Sequence, residues 1–469
     1  MKGGLLKQHI AMDELKEIIE ELDELIEKRD FYSIKALLQD MEPADIALVL
    51  TEFHKKLGIL FRVLPKDLAA EVFVEMESEN QEELLSSFTD TELKEVIDEL
   101  YIDDAVDIIE EMPANVVRRI LNNSDAETRK IINDILKYPD DSAGSLMTPE
   151  YVNLDENITV EDALKRIRRT GVDKETIYTC YVTRPDRTLL GYVTAKQLLL
   201  CDEETVISDI MDSNIIFVHT NEDKEVVAKE MSKYDLLALP VVDNENRLVG
   251  IVTVDDAIDV IEEEATEDIE KMAAMLPSDK PYLATSVFEI WKQRIPWLLL
   301  LMFTATFTSQ IITSFEGKLA NLGTASAILT AFIPMLMGSG GNAGGQTSVT
   351  IIRGLALEEI RMRDIVRIIF KELRVSILCG GMVAVATFAK LMIIDNLILG
   401  NDITIPIALV VSLTILVVIM LAKLVGCILP ILAKRIGLDP AVMASPFITT
   451  IVDAISLLVY FGIAISVLK

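Results

Sequence analysis

One carboxylate stands out in the C-terminal part of the sequence. Asp453 is the thirteenth residue of 441–468, a run of 28 residues that holds no other charge. A helix rises about 1.5 Å per residue, so such a run can cross a hydrocarbon core of roughly 30 Å. An ionised Asp near its middle costs about 3 kcal/mol on insertion scales. Two uses justify that cost: a neutral Asp hydrogen-bonded to a neighbouring helix, or a carboxylate that meets a cation in a watery path. Ser445, Thr449 and Asp453 have i,i+4 spacing and share one face. Oxygen ligands of this kind suit a hard cation, and Mg2+, which keeps several waters, needs only one or two carboxylates.

A second stretch can line such a path. PMLMGSGGNAGGQTS, 334–348, has five glycines between Gly338 and Gly345. Irregular or bare backbone at membrane depth is tolerated where it faces a cavity. Gly338, Gly340, Gly341 and Asn342 are therefore candidate lining residues, with Ser445 and Thr449. The competing reading is close helix packing through small residues.

These residues need a bundle to hold them. Hydropathy predicts five spans, 295–314, 319–338, 375–394, 403–433 and 441–468. Lys390 lies near an end of the third and can snorkel. The connection between spans two and three carries Arg353, Arg361, Arg363, Arg367, Lys371 and Arg374, and the one before span five carries Lys434 and Arg435. The positive-inside rule places both in the cytoplasm, which predicts a cytoplasmic N-terminus and an outside C-terminus. The opening MKGGLLKQHIAMDELKEIIEELDELIEK is charged and helix-like, with no secretory pattern.

Charge divides the chain. Of its 44 Lys and Arg and 75 Asp and Glu, residues 281–469 hold 14 and 10, leaving 30 and 65 for 1–280: net +4 against −35. So acidic a half excludes nucleic acid as a partner, because phosphates need Lys and Arg. It suits cations, or simple solubility. Cys180, Cys201, Cys379 and Cys427 form no CxxC pair, and the three histidines are scattered, which speaks against a disulfide framework and a zinc site. No nucleophile–base pairing or phosphate-cradling loop is present, so the chain is not read as an enzyme.

Residues 1–138 read as an acidic helical array. Helices restart at MEPADIALVL, LPKDLAAEVF, FTDTELKEVI and MPANVVRRIL, each with Pro or Thr near its start. From Tyr138 the texture changes to strands and helices, and it repeats within about 65 residues: MTPEYVNLDENITVEDAL aligns with MDSNIIFVHTNEDKEVVA. The phrase VDNENRLVGIVTVDD resembles a CBS domain, which predicts tandem modules at 139–202 and 203–265. CBS pairs often bind adenine nucleotides through an acid three residues after the Thr of the turn. Thr253 and Asp256 fit that pattern, whereas Thr194 leads to Gln197; ATP at the second copy and a purely structural pair both stay open. Residues 266–284 form an acidic linker helix. Glu262, Glu263, Glu264, Glu267, Asp268 and Glu270 crowd its approach, and like charges at i,i+4 need counter-ions.

The order of parts resembles the MgtE family of magnesium channels and transporters. The phrases that carry the resemblance are YPDDSAGSLMTPEYV, VDDAIDVIEEEATEDI, PMLMGSGGNAGGQTSVTIIRGLA and LPILAKRIGLDPAVMASPFITTIVDAISLLVYF. The resemblance implies a multi-domain membrane protein: an all-α N-terminal array, a tandem α/β CBS pair, the linker helix and a five-helix transmembrane domain at 285–469. It implies a homodimer in the lipid bilayer with the pore on the two-fold axis and Asp453 holding hydrated Mg2+. It also implies cytosolic Mg2+ sites: Asp223, Glu225, Ser232 through its carbonyl and Asp235 in the second module, and Asp256, Asp259, Glu264, Glu267 and Asp268 around the linker. Asp439 faces that helix, and Asp103, Asp104, Asp107 and Gly144 are further candidates. Ser445 departs from the Asn of some members. The function implied is Mg2+ uptake through a channel that closes when cytosolic Mg2+ bridges the acidic faces. The alternative is a channel for another divalent cation, Mn2+ or Co2+, with the CBS pair sensing adenine nucleotide.

Overall fold

The structure is a computed structural model that describes residues 12–278, 282, 285–320, 324–357, 359–443 and 445–468. Residues 1–11 of the helix-like opening, and 279–281, 283 and 284 of the linker, lie outside the described residues. The chain divides into two units, Met1–Glu262 and Glu263–Lys469.

Pro, Thr and acidic caps punctuate the first unit. Its helices are α1 (Met12–Lys28), α2 (Phe31–Gln39), α3 (Pro43–Thr51), α4 (Leu57–Phe61), α5 (Lys66–Val74), α6 (Ser78–Ser87), α7 (Asp90–Ile97), α8 (Ile102–Glu111), α9 (Ala114–Asn123) and α10 (Ala126–Ile135). The four predicted restarts are all helix starts: Pro43 opens α3, Pro65 and Pro113 precede α5 and α9, and Thr89 caps α7 in a reciprocal pair with Glu92. Helices α3, α5, α7 and α9 stack in order. Their inner faces form one apolar core from Leu22 to Ile135 that includes Phe61, Phe73 and Phe88.

Two three-stranded sheets follow. In the first, β1 (Tyr151–Asp155) runs parallel to β2 (Thr176–Thr183), which pairs antiparallel with β3 (Leu189–Thr194). In the second, β4 (Val218–His219), β5 (Ala238–Val242) and β6 (Leu248–Thr253) repeat that order and those directions. The helices are α11 (Ala143–Leu146), α12 (Val160–Thr170), α13 (Ala195–Leu200), α14 (Ile207–Ile210), α15 (Lys224–Tyr234) and α16 (Val254–Met272). The modules interlock: α11 packs in the core of the second module, and Tyr181, Ala238, Leu248 and Ile251 share a core between the sheets. The linker does not begin as a separate element. Helix α16 opens directly after β6 and runs unbroken to Met272, past the predicted start at 266.

The second unit holds α17 (Val287–Ala320), α18 (Thr324–Ala331), α19 (Ile333–Ala356), α20 (Ile365–Lys390), α21 (Ile405–Arg435) and α22 (Ser445–Leu468). A π-helical segment, Leu391–Ile398, extends α20. Among the described residues, four stretches are long and apolar enough to cross a membrane: Val287–Gly317, Met362–Ile398, Ile405–Arg435 and Pro440–Leu468. The expected second span at 319–338 is not one element. It crosses the end of α17, the short α18 and the start of α19, and the long helix here is α19, 24 residues of Gly, Ser, Thr and aliphatic side chains. Small residues lower its hydropathy and bring it close to its neighbours: α19 packs against both α21 and α22. Lys390 closes α20 with its side chain 40 % exposed. Its ammonium pairs with the buried Asp395 at 2.7 Å and lies over the Phe332 ring.

Candidate functional site

Asp453 is the ninth residue of α22, because the chain spends 440–443 in a 3-10 turn before that helix begins. It therefore stands roughly 12 Å from the start of a helix about 36 Å long, about one turn short of its middle. Its carboxylate is half-buried, and Oδ1 is buried with no hydrogen-bond partner. A buried polar atom without a partner costs free energy unless something binds it.

Helix α19 supplies the surface behind it. A Cβ on Gly340 would meet Val418, Val452 and Ser456, one on Gly341 would meet Thr449, and one on Gly344 would meet Ile448 and the Ala422 carbonyl. Gly340 and Gly341 thus act through close packing against α21 and α22, not as a bare lining. The small-residue reading holds for these two. Gly338 and Asn342 lie on the other side of α19, where Asn342 is exposed and a Cβ on Gly338 would meet nothing within 4 Å. Thr449 sits on α22 one turn before Asp453. The Ser445 side chain lies outside the described residues.

A second concentration of carboxylates lies in the first unit. Asp103, Asp104 and Asp107 open and line α8, and Asp256 sits in the first turn of α16, where its Oδ2 accepts from the Thr253 hydroxyl at 2.6 Å. The structure groups them with acids that spacing along the chain does not mark: Glu75, Glu150, Glu175 and Asp255. Glu150 accepts from the Ile102 amide at 3.0 Å and so fixes the start of α8. Asp103 is 7 % exposed, and its Oδ1 has no partner. Burial first, then Asp256, Asp104 and Glu175, push Asp103 well above the usual carboxylate range. Burial, then Asp256 and Asp255, lift Asp104 to about 7. Asp107, at the rim, rises to about 7 through desolvation and then Asp256 and Glu110. Glu175 rises to about 8, through burial and then Asp104 and Asp255, and Asp256 rises to about 6, mainly through burial. Among the described residues no three His, Cys, Asp or Glu side chains close on a common point as metal ligands.

The other expected sites divide. Asp223 caps the start of α15 by accepting from the Glu225 amide at 2.8 Å, and Glu225 pairs with Lys229. Asp235 closes the same helix in a left-handed conformation, φ 52°. Eleven helical residues separate these ends by roughly 16 Å. Asp223 and Glu225 therefore cannot share one ion with the Ser232 carbonyl and Asp235 of the same chain. Gly144 has a packing reason: its amide donates to the Thr220 carbonyl at 2.9 Å, and a Cβ there would collide with the Tyr138 ring and that carbonyl. Asp259 raises the Glu75 carboxyl, second to burial, so it faces the helical array.

Glu264, Glu267 and Asp268 lie on the last turns of α16. Lys271, which no sequence motif singles out, holds Glu267 at 2.7 Å and Asp439 at 2.9 Å. Asp439 also accepts from the Ala441 amide at 2.8 Å. Met272 packs on Ile352 of α19 and on Ala441. Asp439 therefore does face the linker helix, through a lysine.

Comparison with known proteins places these features. A family profile described as a divalent cation transporter matches residues 333–463, one described as the MgtE intracellular N domain matches 41–141, and the CBS domain profile matches 143–203 and 207–263. The chain is 36 % identical over 448 residues to the magnesium transporter MgtE of Thermus thermophilus, covering 94 % of this chain and 97 % of that protein. It is 34 % identical to the magnesium transporter MgtE of Bacillus subtilis, with 93 % of each chain covered. A crystal structure of the cytosolic domain of the Mg2+ channel MgtE in complex with ATP is similar at a TM-score of 0.50 and 36 % identity, over 52 % of this chain and 99 % of that one. With that identity sustained along almost the whole of both chains, this chain belongs to the MgtE family of magnesium transporters.

Proposed function

We propose that this chain forms a Mg2+ channel whose path is set by Asp453 and whose opening is controlled by Mg2+ on its acidic half. The observation that carries the path is the buried, unpartnered Oδ1 of Asp453 in a helix with no other charge. A hydrated divalent cation satisfies that oxygen without stripping its own shell. A homodimer doubles the carboxylate across a two-fold axis, and the open face of α19 with Gly338 and Asn342 is the side left for that axis. Helix α19 then serves as the fifth span, beside the four apolar ones, with the N-terminus cytoplasmic and the C-terminus outside.

Gating follows from the carboxylates of the first unit. Asp103, Asp104, Asp256 and Glu175 are raised first because burial disfavours their charged forms and then because those charges are crowded, with Asp107 exposed at their edge. Bound Mg2+ relieves that repulsion and favours the packed arrangement; scarce Mg2+ lets it loosen. The response is carried by α16, whose first turns pack in the CBS core and whose last turn holds Asp439 and Ala441 just before the Asp453 helix. Mg2+ shifts this balance only by its difference in affinity for the two states. ATP is the second ligand, since the cytosolic domain of a relative was crystallised with it. At Thr253 and Asp256 of this chain a nucleotide meets an acidic surrounding and has to bring Mg2+ with it.

Mg2+ influx into proteoliposomes tests the path. Asp453→Ala should abolish flux while the protein still inserts and elutes as the same oligomer. Wild-type flux through that variant would reduce Asp453 to a packing residue, and Mn2+ or Co2+ flux exceeding that of Mg2+ would favour a channel for another divalent cation.

A further inference from the structure

Helix α21 carries no charge from Ile405 to Ala433 except Lys423, which is 7 % exposed. Its ammonium donates to the Thr347 hydroxyl on α19 at 3.2 Å. Thr347, 3 % exposed, donates in turn to a Glu372 carboxylate oxygen on α20 at 3.3 Å. A hydroxyl has lone pairs for one partner and a proton for the other, so the sequence ammonium, hydroxyl, carboxylate closes with opposite charges at its ends. A lone ammonium in apolar surroundings is expensive, and Glu372 is what compensates it.

The place of this relay gives it a use. Lys423 is three residues before Gly426, and Thr347 is three residues after Gly344. Gly344 and Gly426 form a tight helix crossing, because a Cβ on Gly426 would overlap the Gly344 carbonyl. The same face of α19 carries Gly344 against Ile448 and Gly341 against Thr449, one turn from Asp453. A shift of α19 along α21 would therefore alter the wall behind the carboxylate. Glycine packing sets how closely the helices approach, but it allows sliding. A directional charged relay across three helices does not.

We propose that Lys423 is a positioning residue for cation passage: through Thr347 it fixes α19 against the Asp453 helix, and Glu372 keeps its charge neutral beside the path. This rests on the reading of Asp453 as the path carboxylate.

The test uses full-length protein in proteoliposomes, with Mg2+ influx measured over a range of Mg2+ concentrations and oligomeric state checked by gel filtration. Glu372→Gln leaves a buried, uncompensated ammonium. It should lower maximal flux at least tenfold and raise the Mg2+ concentration for half-maximal flux, since a stray positive charge repels a divalent cation. Thr347→Val, which keeps the shape and removes the hydroxyl, should fall between it and the parent. Lys423→Met/Glu372→Gln removes both charges and should return flux and half-saturation to within threefold of the parent. Parental behaviour of Glu372→Gln, or a folded double variant no better than Glu372→Gln, overturns the proposal. If Glu372→Gln does not fold, the double variant decides: recovery of folding and flux supports the relay, and failure overturns it. Asp453→Ala in the same assay separates the two readings. Flux through it overturns the path; loss of flux there with a parental Glu372→Gln overturns the relay alone.

Discussion

Replacing Asp104 by Asn should stabilise the cytosolic half when divalent cations are absent. Burial and the charges of Asp256, Asp255 and Glu150 lift its carboxyl from 3.8 to about 7. A carboxyl whose value is raised by folding prefers its proton in the folded state. The resulting penalty is absent below pH 3.8, grows as the pH climbs towards 7 and is constant above it. The difference corresponds to about 4 kcal/mol at pH 8 and about 1.5 kcal/mol at pH 5. Partial contact of Asp104 with solvent screens this, leaving about 2–3 kcal/mol at pH 8 and about 1 kcal/mol at pH 5. Asn keeps the shape and removes the charge, so it should raise the Tm of this half by about 5–10 °C at pH 8 with chelator, and by about a third of that at pH 5. Mg2+ should narrow the gap. The parent gains RT ln(1 + [Mg2+]/Kd), about 2.7 kcal/mol at a hundred times Kd, and the variant gains less because it has lost a ligand. Thermal unfolding of the full chain in detergent, with chelator and with Mg2+ at both pH values, checks all of this. An Asn variant that is no more stable than the parent at pH 8 in chelator refutes the claim of repulsion. An equal Mg2+ gain in both refutes the claim that Asp104 meets the ion.

Lys271→Met should lower the cytosolic Mg2+ needed to close the channel severalfold, because the Lys271 ammonium competes with Mg2+ for Glu267 and Asp439; current recordings against titrated cytosolic Mg2+ would show it, and an unchanged or raised closing concentration would argue against competition. Gly426→Ala should destroy flux and the monodisperse gel-filtration peak, since its Cβ overlaps the Gly344 carbonyl, whereas Gly381→Ala, with nothing within 4 Å, should pass both checks.

How far the sequence can be read depends on whether a feature is local. Helix starts at Pro43, Pro65, Thr89 and Pro113 are legible because a cap needs only its own neighbours. The twin sheets are legible because the repeat is written twice in order. Asp453 stands out because it is the one charge in a run of 28 residues. The second span is misplaced by hydropathy, which rewards Leu and Ile, whereas α19 is held by small residues that score poorly.

What stays hidden in the acidic half has the opposite cause. With 65 Asp and Glu in 280 residues, another acid is not a signal. Glu75, Glu150 and Glu175 come from three distant segments and meet Asp104 only in the folded unit, Glu75 from the end of α5 and the other two from the first module. Spacing along the chain cannot report that meeting. It is equally silent on which acids lie together, since Asp223 and Asp235, twelve positions apart, cap opposite ends of one helix. Lysines escape notice for a related reason. In an acidic chain a Lys reads as a solvated counter-charge, and only three-dimensional contact shows that Lys271 sits between Glu267 and Asp439. The apolar setting of Lys423 does carry a signal. A charge in a span needs a partner at the same depth on another helix, and Glu372 is the acid that the neighbouring span supplies. Lys390 is answered locally instead, by Asp395 little more than one turn further along the same stretch. Asp453 keeps a buried oxygen without a hydrogen-bond partner, and on the proposed reading a cation arriving from outside the protein is the partner that its helix does not provide.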